Sequence, residues 1–155
     1  MIENGEIDLS EIENSEDGKD LYPFQEAAIQ EISKKLNELE DNHNVLFQLP
    51  TGGGKTVIFS EITRRYIKST GKKVLILTHR IELCKQTSRM LSEFNVDNMI
   101  IDSKVKSVSD GNDFVAFVAM VETLNNRLQE EKITLNNVGL VIVDEAHYNS
   151  FRKLF

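Results

Sequence analysis

Val45-Leu46-Phe47-Gln48-Leu49 runs straight into Pro50-Thr51-Gly52-Gly53-Gly54-Lys55-Thr56. The apolar run has the length of a buried strand. The glycines that follow allow unusual dihedrals and let backbone N–H groups approach an anion closely, where side chains would block the way. A helix expected over about 55–69, ending near Gly71, brings its positive N-terminus to the same place. Lys55 adds a point charge suited to β- and γ-phosphates, and the Thr56 hydroxyl is a ligand for Mg²⁺. The general phosphate-loop template asks for glycine at position 49, where this chain has Leu49. The strand before and the helix after supply the context that the mechanism needs. A glycine-rich turn that merely precedes a lysine is the bland alternative.

Upstream of this loop, Phe24, Ala28, Ile32, Leu36 and Leu39 recur at helical spacing, so 23–40 reads as an amphipathic helix with Pro23 in its first turn. Downstream, Val74-Leu75-Ile76-Leu77 reads as a strand, 80–94 as a helix, 98–101 and 114–119 as short strands, and 121–131 as a helix. Leu140-Val141-Ile142-Val143 reads as the last strand. Short apolar strands alternating with helices predict an α/β domain with a mostly parallel sheet covered by helices on both faces. The last strand delivers Asp144 and Glu145 to the C-terminal edge of that sheet, where ligands bind in open α/β folds. There Asp144 suits Mg²⁺, and Glu145 suits a water that it orients or deprotonates. An acidic pair in a solvated turn is the alternative for these two residues taken by themselves.

The 155 residues carry a net charge of −7. All of it lies in residues 1–20, where eight acids (Glu3, Glu6, Asp8, Glu11, Glu13, Glu16, Asp17, Asp20) face one base, Lys19. Such a segment buries little surface, so 1–20 is expected to be a disordered, solvated tail, with 21–155 as one folded domain. Docking of Ile2, Ile7, Leu9 and Ile12 on a partner is the alternative for the tail. The basic residues Lys34, Lys35, Arg64, Arg65, Lys72 and Lys73 are scattered and read as solvated helix faces. No apolar run is long enough to cross a membrane as a helix. Cys84 is the only cysteine, which fits a reducing cytoplasm, and it reads as a small apolar residue on a helix.

LPTGGGKT and VIVDEAH, with about ninety residues between them, resemble the first two motifs of DEAH-type superfamily 2 helicases and translocases. The resemblance covers about 21–155 and implies a RecA-like P-loop NTPase domain using ATP and Mg²⁺. It assigns Thr51, Gly52, Gly53, Gly54, Lys55 and Thr56 to the nucleotide, with Thr56 and Asp144 at the metal and Lys55, Asp144 and Glu145 in catalysis. Leu21-Tyr22-Pro23-Phe24-Gln25 is similar to the family's adenine-reading segment, which implies that Gln25 bonds the adenine edge and Tyr22 stacks on the ring. Many relatives have arginine at the place of Tyr22, and a plain helix-start aromatic is the other reading. Leu77-Thr78-His79-Arg80 looks like a motif that touches the nucleic-acid backbone. For Arg80, pairing with a nearby acid stands beside phosphate contact. Ala119-Met120-Val121-Glu122-Thr123-Leu124 resembles another such motif. Relatives often carry glutamine in place of Glu122, which leaves Thr123 as the candidate contact. His147 closes the DEAH box and, by resemblance, couples the nucleotide site to a second domain; a hydrogen-bonded loop histidine is the other reading.

The function implied is ATP hydrolysis coupled to translocation on nucleic acid or to its unwinding, with DNA favoured over RNA by likeness to DNA-repair and restriction-type motors. An ATP-gated nucleic-acid-binding module without unwinding is the alternative. A P-loop small-molecule kinase or transporter ATPase fits Tyr22–Gln25 and Thr78–Arg80 poorly. The family's next strand and its C-terminal RecA-like domain have no counterpart in the sequence, so the chain is expected to be a fragment with little ATPase by itself.

Overall fold

The computed structural model describes residues 7–10, 20–38, 45–48, 54–105, 114–130 and 135–144. Backbone contacts divide the chain into two compact units, Met1–Gly71 and Lys72–Phe155. Helices α1 (Pro23–Glu38) and α2 (Lys55–Thr70) pack together in the first unit. The second unit is built from β1 (Lys73–Thr78), α3 (Ile81–Glu93), β2 (Asn98–Ile101), β3 (Ala116–Met120), α4 (Val121–Gln129) and β4 (Val138–Val143).

The four strands form one parallel sheet in the order β2-β3-β1-β4. Parallel neighbours need a crossover between them. Helix α3 connects β1 to β2 and packs on β1, β2 and β3, while α4 connects β3 to β4 and packs on β3. Leu75, Leu77, Ile101, Phe117, Ala119, Val121 and Leu124 form the core of this unit, with Met99, Val105, Leu135, Val138 and Val143 packed around them. The expected α/β architecture is therefore present, a parallel sheet flanked by helices. Cys84 is buried on α3, as expected, and burial raises its thiol pKa. No helix among the described residues is long and apolar enough to cross a membrane.

Five expectations change. The apolar run before the phosphate loop is not a strand over 45–48, and Leu46 is 74% exposed. A strand needs a neighbour for its backbone N–H and C=O groups, and among the described residues this stretch pairs with none. Strand β4 alternates between half-buried and exposed positions up to Ile142, and Val141 is exposed. Among the described residues it pairs with β1 only, so it has the character of an edge strand.

The buried face of α1 is Gln25, Ala28, Ile29 and Ser33, turned by one residue from the Phe24–Ile32–Leu36 stripe, and Phe24 is exposed. Segment 7–10 accounts for part of that turn. Leu9 is fully buried and Ile7 is clasped by Asn37, whose Oδ1 accepts from the Ile7 N–H at 2.8 Å while its Nδ2 donates to the Ile7 carbonyl at 2.7 Å. Ser33 Oγ donates to the same carbonyl at 3.4 Å. The disordered tail expected for 1–20 therefore does not describe 7–10: one apolar side chain is buried there and its carbonyls have donors. Lastly, Arg64 and Arg65 are not on a solvated face. They are 4% and 2% exposed, because the Glu61 carboxylate, one helical turn away on α2, pairs with both, and Glu26 on α1 pairs with Arg65.

Candidate nucleotide site and sheet edge

In the first unit, Tyr22 is the residue before α1 and Gln25 is the third helical residue. The Tyr22 N–H donates to Gln25 Oε1 at 2.9 Å, and the Tyr22 carbonyl accepts from the Gln25 N–H at 2.9 Å. A glutamine at this position reaching back to the residue before the helix is half of a capping box, and it fixes the entry of the chain. Gln25 is nearly buried, whereas Tyr22 is 68% exposed, its ring parallel to Phe24 with centroids 6.0 Å apart. The Tyr22 ring is thus open to a planar ligand. Among the described residues, Gln25 keeps a second lone pair on Oε1 and the donors of its amide nitrogen.

That amide nitrogen lies against Gly54. Gly54 has φ +77, and a Cβ built there would lie 2.5 Å from Gln25 Nε2. The position needs glycine twice over, for a left-handed backbone and for the close approach. Gly54 caps α2, its carbonyl accepting from the Ile58 N–H at 3.1 Å. No side chain caps this helix start and no acid occupies its first turn. Its backbone donors and positive dipole end are therefore uncompensated by the helix's own residues, with half-buried Lys55 and Thr56 as its first two positions. These residues fit the phosphates of a nucleotide. Thr51, Gly52 and Gly53 lie outside the described residues.

In the second unit, parallel pairing brings the ends of β3, β1 and β4 side by side. Thr123 follows β3, His79 and Arg80 follow β1, and Asp144 follows β4, so all four stand along the C-terminal edge of the sheet. The Asp144 N–H donates to the Leu77 carbonyl at 2.9 Å, which extends the β1–β4 ladder and fixes the backbone of the acid. Buried Thr78 donates from Oγ1 to the Arg80 carbonyl at 3.2 Å and touches Cys84 Sγ at 3.0 Å, so the turn carrying His79 and Arg80 is tied to α3. Arg80 is exposed, His79 and Thr123 are half-buried, and Glu122 is exposed. Helices α3 and α4 both begin at this edge without a side-chain cap, which leaves backbone donors there, with one acid in each first turn, Glu82 and Glu122. Glu145 and His147 lie outside the described residues.

The sequence reading passed over one cluster in the first unit. Glu61 on α2 accepts from Arg64 Nε at 2.9 Å and from Arg65 Nε at 2.8 Å, and Arg65 reaches on to Glu26 of α1. Glu61, Arg64 and Arg65 stand at i, i+3 and i+4, a spacing that predicts pairing. Nothing in the spacing indicates that the pairs are buried or that Glu26 joins them. Hydrogen bonds from Arg65 hold the Glu26 carboxyl below the usual glutamate range, against the opposing effect of burial.

A family model described as type III restriction enzyme, res subunit, matches residues 18–154. IRC3 of Saccharomyces cerevisiae, an ATP-dependent helicase by name, is 40% identical over 115 residues, which is 68% of this chain and 16% of that protein. The ATP-dependent DNA helicase Hel308 of Thermoplasma acidophilum is 28% identical over 137 residues, which is 84% of this chain and 19% of the relative. A nuclease-deletion mutant of the Type ISP restriction-modification enzyme LlaGI, solved with a DNA substrate mimic, matches with a TM-score of 0.70 at 19% identity, over 88% of this chain and 16% of that one. This likeness gives the fold, which is RecA-like. The chain spans less than a fifth of each of these proteins.

Proposed function

The chain belongs to the family described as type III restriction enzyme, res subunit, one of superfamily 2 helicase ATPases, and we propose that it binds and hydrolyses ATP to drive movement along nucleic acid or its unwinding, with DNA preferred over RNA. The observation that supports this best is the start of α2: left-handed Gly54, no capping side chain, no acid in the first turn, and Lys55-Thr56 in place. An anion is what such a helix end lacks.

Each residue then has a task. Backbone donors from Thr51 to Thr56 surround the phosphates, and Lys55 places its charge on the β- and γ-oxygens. Mg²⁺, when bound, neutralises charge on those oxygens, and Thr56 and Asp144 are the residues that would hold it. Glu145 orients the attacking water and accepts its proton. Tyr22 stacks on the adenine ring and Gln25 bonds its edge. His79, Arg80, Thr123 and the uncapped starts of α3 and α4 take the nucleic-acid backbone, which carries no sequence information and so suits movement over any sequence. His147 links nucleotide state to the rest of the motor. The preference for DNA draws on the DNA helicase and DNA-bound restriction enzyme among the relatives.

The test is Mg²⁺-dependent binding of a labelled ATP analogue to this chain, to Lys55→Ala and to Asp144→Ala. Removing the Lys55 charge is expected to cost about 2 kcal/mol, or about thirtyfold in affinity. Asp144→Ala is expected to abolish the gain from Mg²⁺. Binding that ignores both substitutions would refute the assignment. Stimulation of hydrolysis by single-stranded DNA over RNA of the same length, measured in the longest natural protein that contains this chain, checks the substrate.

A further inference from the structure

Arg65 sits in the middle of α2, 2% exposed, and its guanidinium points in three directions at once. Nε donates to Glu61 Oε1 at 2.8 Å on the same helix. Nη1 and Nη2 form a fork on Glu26 of α1, at 2.8 Å to Oε1 and 2.7 Å to Oε2. Nη1 also donates to the Leu9 carbonyl at 2.9 Å, in the segment that lies across both helices. A planar fork with five fixed donors meets this set, and a lysine ammonium does not.

Glu26 is the neighbour of Gln25. The first turn of α1 therefore meets α2 at two places: Gln25 Nε2 lies close against Gly54 at the start of α2, with no room for a Cβ between them, and Glu26 is ion-paired to Arg65 further along the same helix. Arg65 lies ten residues past Lys55, or about 15 Å along the helix. One contact would let the turn pivot about Gly54. Two contacts this far apart fix its direction, and with it the direction in which the Gln25 amide and the Tyr22 ring face. Gln30 Nε2 donates to Glu26 Oε1 at 2.9 Å and to the Leu9 carbonyl at 3.2 Å, so the same acid and the same carbonyl are held from the α1 side as well.

We propose that Arg65 is a positioning residue for nucleotide recognition: through Glu26 it sets the Tyr22–Gln25 turn on the helix that begins at the phosphate loop, with the Leu9 carbonyl closing the cluster. The proposal rests on the reading of Gln25 as the residue that bonds adenine. It predicts a split between base and phosphate recognition. A residue that only stabilises the fold affects all nucleotides alike. A residue that aims Gln25 affects the preference for adenine, because a misaimed amide no longer matches the edge that it is built to bond.

The experiment measures competition by unlabelled ATP and GTP against a labelled ATP analogue, in the unsubstituted chain and in Arg65→Lys, Glu26→Gln and Gln25→Ala. Glu26→Gln changes a partly exposed side chain and keeps the charge balance within one unit, so it serves if Arg65→Lys does not fold. The expected result is a loss of ATP-over-GTP preference of about tenfold in all three variants, with GTP affinity changed by less than about twofold. Amide exchange is expected to quicken at 7–10 and at the first turn of α1 in Arg65→Lys and Glu26→Gln. Preference lost in Gln25→Ala but kept in the other two overturns the role of Arg65 alone. Equal losses for ATP and GTP in Arg65→Lys and Glu26→Gln also overturn it, leaving a fold-stabilising cluster. A Gln25→Ala chain with unchanged preference overturns the adenine reading, and the Arg65 proposal falls with it.

Discussion

Strand β1 and helix α2 are each the buried centre of their unit, yet they are buried by different means. Five residues of β1 in a row are covered, four of them aliphatic (Val74, Leu75, Ile76, Leu77) before Thr78. Nine residues of α2 in a row are covered, from Ile58 to Tyr66, and five of these are polar or charged: Ser60, Glu61, Thr63, Arg64 and Arg65. The strand is buried because water rejects its side chains. The helix is buried although water would accept its charges, and this is tolerable only because Glu61 and Glu26 neutralise two guanidinium groups with directed hydrogen bonds. The difference bears on the sites. An apolar core sets the sheet and so the edge where Asp144 stands, through contacts that have no preferred direction. An ion-paired core ties particular atoms together, so it can aim a neighbouring residue such as Gln25.

The largest effect expected from this contrast is in the sheet. Phe117 is fully buried in the β1–β3 core, with Lys73 Nζ 5.5 Å from its ring centroid. Phe117→Ala should cost about 4 kcal/mol from lost burial and the cavity left behind. Denaturant unfolding gives the total, and amide exchange shows where the loss falls. Exchange that quickens in β1 and β3 while α1 and α2 keep their protection would sharpen the contrast between the units. Equal quickening in all four elements would break it, and would mean that the two units unfold as one.

The same contrast explains what could be read from the sequence. Helices α1–α4 and strands β1–β4 are marked by the spacing of apolar residues, the end of α2 by Gly71, and the delivery of Asp144 to the sheet edge by the apolar run before it. The run 45–48 misleads, because an apolar stretch reports the wish for burial and not the presence of a neighbouring strand. The face of α1 misleads because Gln25 and Ser33, both polar, are turned inward by hydrogen bonds to Tyr22 and Ile7, and hydropathy cannot register that. Leu9 stands out only as one of four apolar residues that could dock, because the acids around it dominate the composition, and nothing in the spacing says that it docks on its own chain. Arg64 and Arg65 were hidden because a buried charge looks like an exposed one until its partners are located in space.

A smaller effect separates two glycines. Gly54 and Gly71 flank α2 with φ of +77 and +68. Alanine at Gly71 meets nothing within 4 Å, so it should cost only the left-handed backbone, about 1 kcal/mol. Alanine at Gly54 has the same backbone cost and also displaces the Gln25 amide, whose oxygen caps Tyr22. About 1 kcal/mol more is expected for that lost hydrogen bond. Denaturant midpoints of the two variants measure the difference. Equal midpoints would mean that Gln25 swings away freely, and the link between the Tyr22–Gln25 turn and the start of α2 would then be loose.

The smallest effect is acid sensitivity confined to the helix pair. Glu26 has its pKa lowered in the folded chain, first by hydrogen bonds from Arg65 and in smaller part by Gln30, with burial opposing. A carboxyl with a lowered folded pKa contributes stability that is fully present above its unfolded value, about 4.3, and is lost as pH falls through the lower folded value. The residues that fill the sheet core, Leu75, Leu77, Phe117 and Ala119 among them, carry no titrating group. Lowering the pH from neutrality toward 3 should therefore weaken protection at 7–10 and in the first turn of α1 before it weakens β1 and β3. The fork on Glu26 is partly open to water, so the change is expected to be modest and to shrink further in added salt. Glu26→Gln should show the weakened protection already at neutral pH and a smaller further loss on acidification. If the unsubstituted chain and Glu26→Gln lose protection in parallel, the acid sensitivity comes from other carboxyls, and the tie between α1 and α2 owes more to apolar contact than to the Arg65 fork.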